Sequence, residues 1–190
     1  MTFSQEHFEH VAVEYVRQAI FRTLQTGDTF QTKMEAGGIS HVGDADISNT
    51  HLAETAFSPF SLKMIIEESL PPFAYWRSDE AILFVDPVDG SAEAGCGGAQ
   101  FSAAVSLYGE GGKPVFSAAA SPGLRPIFRL PDGSFGGFPG HMGPVIAGGP
   151  NGTWLSPLWP NENERPIKIA QTTARPPRVE ASLPLRAGGN

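Results

Sequence analysis

Two aspartates, Asp86 and Asp89, stand three positions apart in "ILFVDPVDGSAE", on either side of a proline. An apolar run leads into the first, and Gly90-Ser91 follows the second. Carboxylate oxygens are the preferred protein ligands of a hard cation such as Mg2+. A turn begun at Pro87 would aim both side chains and the Val88 carbonyl at one centre. Gly90 has no side chain to keep a ligand from the backbone. A helix starting at Ser91 would direct its free N–H groups at an anion. Metal-binding carboxylates beside a phosphate cradle suit phosphoester hydrolysis, where cations offset phosphate charge, lower the pKa of a bound water and stabilise the leaving oxygen. The hexapeptide alone reads equally as a strand-to-turn junction, because Asp-Pro and Asp-Gly form turns and Asp89 would serve as an N-cap.

Other chemistry finds less footing. His7, His10, His41, His51 and His141 show no H-x-x-x-H spacing, which argues against zinc. "GCGG" at residues 95–98 is followed by no Gly-Lys-Ser/Thr and reads as a turn rather than a P-loop. Glu67-Glu68 alone reads as a solvated helix end.

The elements that must position these residues follow from periodicity. Residues 4–25 predict a helix, with Val13, Val16, Ile20 and Leu24 at helical spacing and Phe8, Val11, Tyr15 and Phe21 near the same stripe. Gly27-Asp28 would end it. Residues 32–46 read as a loop or irregular hairpin, and residues 47–57 as a second helix entered through Asp46 or Ser48. A third apolar piece covers residues 59–69. Strands are expected at 81–85, 100–108, 115–120 and 127–130, the second with Phe101, Ala103, Val105 and Leu107 on one face. Residues 131–160 are glycine-rich and read as loops with a short hairpin, and "RPIKIAQ" as one more strand. The expected class is α+β, an antiparallel sheet with packed helices.

The composition is that of a soluble globular protein, with 41% hydrophobic and 17% charged residues. The formal net charge of -7 and the lack of a basic patch argue against a nucleic-acid partner. No apolar run approaches the ~18 to 20 residues of a membrane span. A single cysteine, Cys96, and the absence of a secretory signal point to the reducing cytoplasm.

Taken together the motifs resemble the inositol monophosphatase family of Mg2+-dependent phosphatases. That family carries a Glu-Glu pair and then D-P-[LIV]-D-G-[ST]; here Glu67 precedes Asp86 of "DPVDGS" by 19 positions. "DGSAEA", "GDADISNTHL" and "GGKPVFSAAASPGLRPIF" are most similar to the 3'(2'),5'-bisphosphate nucleotidase branch. The resemblance implies a layered sugar-phosphatase-like fold and roles for individual residues. Glu67, Asp86, Asp89 and the Val88 carbonyl would hold Mg2+. Glu67 and Ser91 would orient the attacking water, and Gly90, Ser91 and Glu93 would face the substrate. Asp46 would sit behind the metals and assist the water, with Asp44 as its rival in the "GDAD" register; Lys33 loosely matches a further site residue. The implied reaction removes the 3'-phosphate of adenosine 3',5'-bisphosphate, with inositol phosphates as the second substrate class, and lithium would inhibit. Ala92 and Ala94 depart from the lysine and aromatic residue usual after the motif. The family's further half carries a Trp-Asp metal ligand; Trp154 and Trp159 are followed by Leu155 and Pro160. The expectation is therefore a truncated N-terminal half, with residues 1–170 as one domain and 171–190 as an irregular tail. A non-catalytic metal- or phosphate-binding relative is the alternative, and a homodimer through an uncovered sheet edge a further expectation.

Overall fold

The structure, a computed structural model, describes residues 4–26, 30–35, 38–67, 80–95, 97–123, 127–129, 135–137, 143–150, 152–159 and 166–169. The side chains of residues 30–42 and 127–137 and of Glu93 lie outside that description, as do Gly27, Asp28, Glu68 and residues 171–190.

Helix α1, Gln5–Gln25, begins where the Ser4 hydroxyl accepts from the His7 N–H. Its buried stripe is Phe8, Ala12, Tyr15, Val16, Ala19, Ile20 and Thr23. The expected stripe is thus rotated. Ala12 and Ala19 enter the core, while Phe21 and Leu24 are 48% and 45% exposed. Small residues bring the helix backbone close to what it covers, and Phe21 instead stacks edge-on against Trp159.

Of the loop or irregular hairpin expected here, the structure has a hairpin, with β1 (Phe30–Glu35) and β2 (Gly38–Gly43) in regular register. Helix α2, Asp44–Phe57, starts earlier than periodicity suggested. Its N-cap is Gly43, which has no side chain to signal the start. Asp46 is therefore the third helical residue, and its carboxylate accepts from the Gly43 N–H at 2.8 Å.

A 3-10 turn, Ser58–Phe60, leads to β3, Lys63–Ile66. The remaining strands are β4 (Ile82–Asp89), β5 (Ser102–Gly109), β6 (Lys113–Ala120), β7 (Ile127–Arg129), β8 (Phe135–Gly137), β9 (Pro144–Gly149), β10 (Gly152–Pro157) and β11 (Ile167–Ile169). Six of them and β3 form one sheet in the order β11-β10-β9-β6-β5-β4-β3. The sheet is mixed rather than purely antiparallel, because β3 runs parallel to β4. The short hairpin expected within residues 131–160 is the β9–β10 pair, with strands of six residues each. Glycine there serves packing: a Cβ on Gly149 would lie 2.5 Å from the Val115 carbonyl oxygen.

Along β5 the expected alternation holds: Ala103, Val105 and Leu107 are buried with Phe101, and the residues between them are half-buried. The inward face packs under α1, and α2 packs against α1 and β4. Phe8 is the hub, with ring centroids 5.8, 5.3 and 6.2 Å from Phe57, Phe60 and Phe116. Asn49 of α2, fully buried, donates to the Ala19 carbonyl and the Thr23 hydroxyl of α1. Arg17 ties α1 to β10 by donating to the Ser156 hydroxyl and the Pro157 carbonyl. No described helix is long and apolar enough to cross a membrane.

Truncating Phe8 leaves a cavity under α1, whereas Phe21 loses only a surface contact. Phe8→Ala is expected to cost about 3–5 kcal/mol in urea unfolding, and Phe21→Ala less than about 1 kcal/mol. Equal losses would contradict the placement of α1.

Candidate functional site

The site is built where β4 ends. The strand runs on through Pro87, so the expected turn at that residue is absent. Against β5, Asp86 pairs with Ala104 and Asp89 with Ser102, with a register shift between them. Proline has no N–H for the ladder and is tolerated at such a bulge. In a regular strand, residues three apart point to opposite faces. The bulge cancels that offset. Cross-strand partners share a face, and Ser102 and Ala104 lie two apart on β5, so Asp86 and Asp89 both belong to the face away from α1. Val88 turns into the core at 4% exposure.

The turn follows at Gly90, whose φ of +88° is the left-handed region. A Cβ there would lie 3.1 Å from the Gln100 carbonyl oxygen. The short helix α3, Ser91–Gly95, comes next. The Ser91 hydroxyl lies 3.1 Å from the Asp46 carboxylate and 2.9 Å from the Val88 carbonyl, either of which accepts its proton. Asp46 is 1% exposed, so a buried carboxylate joins the start of α2 to the end of β4. Asp44 is exposed on the first turn of α2, and Asp46 bonds to the motif through Ser91.

Glu67 follows β3 and, because β3 runs parallel to β4, arrives beside Asp86. Asp86 is pushed up to about 7, first by burial, then by the Glu67 charge and a hydrogen bond with Glu67, then by Asp89 and Asp46. One of its oxygens, Oδ1, is buried and has no hydrogen-bond partner among the described residues. Tyr15 of α1 is raised too, by burial and then by the Asp86 charge. Asp89 is exposed and accepts weakly from the Ser102 hydroxyl at 3.4 Å.

The structure thus brings together Glu67, Asp86, Val88, Asp89, Gly90, Ser91 and Asp46. The side chains of Glu93 and Lys33 lie outside the described residues. Sequence reasoning missed Tyr15, which looked like one more core aromatic, and Ser102, whose link to Asp89 depends on register. Two cavities flank the motif. One of about 220 Å³ lies between Glu67 and Asp86 over Phe84, Ala104 and Ser106. One of about 370 Å³ opens beside Asp89 and Gly90.

A divalent cation fits this donor set in kind. An orphaned, buried carboxylate oxygen with other carboxylates around it is a group that a cation would satisfy. Among the described residues, no three Asp, Glu, His or Cys side chains close on one point as a ready metal shell. Binding would therefore draw the carboxylates inward.

No protein-family profile matches the chain, and no curated protein does. Solved structures do. Staphylococcal inositol monophosphatase-1, in a lithium chloride-soaked inhibitory complex, is similar at a TM-score of 0.57 and 13% identity over 82% of this chain and 52% of its own. The IMPase of Thermotoga maritima gives 0.55 and 13% over 75% and 48%. An IMPase/NADP phosphatase complexed with Mg2+ and phosphate gives 0.56 and 13% over 80% and 51%. The chain therefore spans about half the length of these structures. The likeness shows the fold, and it is the fold of the family that the motifs resemble.

Without a cation, the cost of ionising Asp86 is a stability term. A carboxyl raised from 3.8 to about 7 binds its proton more tightly in the folded state, so stability falls as pH rises through that window and stays low above it. In a chelating buffer, wild type is expected to lose melting temperature over that window relative to Asp86→Asn. Mg2+ is expected to restore it in wild type alone. Parallel pH profiles for the two proteins would contradict the site.

Proposed function

We propose that this chain carries the metal- and phosphate-binding part of a Mg2+-dependent phosphomonoester hydrolase of the inositol monophosphatase type. The observation that carries the reading is the half-buried Asp86, with one orphaned oxygen and with Glu67, Asp89 and Asp46 all raising its pKa. The similar IMPase/NADP phosphatase with Mg2+ and phosphate supports the choice of cation and ligand. Within the class, "DGSAEA" supports adenosine 3',5'-bisphosphate, losing its 3'-phosphate, ahead of inositol phosphates.

Glu67, Asp86, Asp89 and the Val88 carbonyl are the residues that would hold Mg2+. When bound, the cation offsets phosphate charge and makes water a stronger nucleophile. The chain's own groups do the rest. Gly90 leaves the backbone bare, so the Gly90 and Ser91 N–H groups are available to the phosphate oxygens. The Ser91 hydroxyl, bonded to Asp46 or Val88, is held in place to orient the water. Glu67 accepts the proton that the water gives up. The water oxygen bonds to phosphorus, the ester P–O bond breaks, and the departing alkoxide takes up a proton. Inorganic phosphate and an alcohol result.

Phosphate release from adenosine 3',5'-bisphosphate and from inositol monophosphate with Mg2+ tests the reading. Release from at least one is expected, with Asp86→Asn lowering kcat by about 100-fold or more. Mg2+ binding with no release from either would overturn catalysis and identify a non-catalytic relative.

A further inference from the structure

The sheet face away from α1 carries an ordered row of residues. Asp86, Ala104, Ala119 and Ile146 are successive cross-strand partners on β4, β5, β6 and β9. Partners directly opposite point to the same face, so from the carboxylate to Ile146 the row crosses four strands. At a strand spacing of about 4.8 Å it spans roughly 14 Å. Next to Asp86 the row offers only methyl groups, and past Ile146 it runs on to Leu155 of β10 and Ile167 of β11. Their neighbours Ala103, Ala118, Ala120 and Val145 point the other way and are buried in the core, while Ala104, Ala119 and Ile146 stay half-buried.

The cavity of about 370 Å³ opens on the far part of this row. Its size falls in the usual range for small-molecule pockets, about 300–1,000 Å³. It begins at Asp89 and Gly90, where the phosphate would sit, and reaches Ala119 and Ile146. Gln100, Ser102 and Ser121 are its polar lining residues, and Phe101 and Ala120 line it from the core side. Asp89 is the one charged residue among the described residues that line it. Such walls suit a body with an apolar face and neutral hydrogen-bonding groups. Among the described residues they offer no cation to a second phosphate, which would remain at the solvent edge.

The geometry points to this cavity as a leaving-group subsite for a neutral, hydroxyl-bearing body of nucleoside size, with Ala119 and Ile146 setting its length. The inference rests on the phosphatase reading for the position of the phosphate. It adds where the rest of the ester lies and which residues limit it. Ala119 is small and faces the cavity, so a larger side chain there fills the subsite without entering the core.

Two measurements on the full chain separate the inference from the reading beneath it. The first is a titration with adenosine, without metal or phosphate, followed by backbone amide resonances. Shifts are expected at Ala119, Ser121 and Ile146, and are expected to vanish in Ala119→Leu. The second is phosphate release from adenosine 3'-monophosphate and from methyl phosphate with Mg2+. Ala119→Leu is expected to raise KM for the nucleotide about tenfold or more and to leave methyl phosphate turnover unchanged. Wild-type resonances unmoved by adenosine would overturn the subsite whether or not turnover occurs. An equal loss on both esters would overturn it too. Adenosine shifts without phosphate release from either ester would uphold the cavity as a nucleoside site and sink the phosphatase reading.

Discussion

Asp86 is half-buried at the end of a strand, and burial and three neighbouring carboxylates all push its pKa in one direction. A fold gains nothing for stability from gathering like charges around a half-buried carboxylate. The chain nevertheless brings Glu67 from β3, Asp89 from beyond a bulge and Asp46 from the start of α2 to the same strand end. Such an arrangement stores unfavourable charge that a divalent cation or a proton relieves.

Each supporting element has a task in that arrangement. The parallel β3–β4 pair delivers Glu67, because antiparallel pairing would carry the residue after β3 to the opposite end of β4. The bulge at Pro87 turns Asp86 and Asp89 to one face. Asp46, bonded to Gly43 and Ser91, locks α2 to the turn. The Phe8 cluster and the Asn49 bridge hold α1 and α2 on the inward face, leaving the carboxylates on the other. Asp86 and Asp89 thus lie across the sheet from the Phe8 cluster, while Asp46 and Val88 reach the site from the core side.

Much of this was legible in the sequence, for identifiable reasons. Asp86, Asp89, Gly90 and Ser91 are neighbours in the chain, so local turn chemistry exposes them. Strand β5 alternates cleanly because only one of its faces is buried. Other features depend on partners distant in sequence. The start of α2 was hidden because its N-cap is a glycine and Asp46, inside the helix, looks like a cap. The extent of β9 and β10, expected only as a short hairpin, was hidden because glycines required by close packing mimic loop composition. The bulge, the parallel pair and the row from Asp86 to Ile146 are matters of register, which no single segment encodes.

The central claim is that the carboxylates around Asp86 form one cation site. Titration with Mn2+, read as paramagnetic broadening of backbone amide resonances, tests it most directly. The account predicts broadening centred on Glu67, Asp86, Asp89, Gly90 and Ser91, weaker at Asp46, and displaced by excess Mg2+. Broadening spread evenly over the acidic surface, or centred elsewhere, would contradict it.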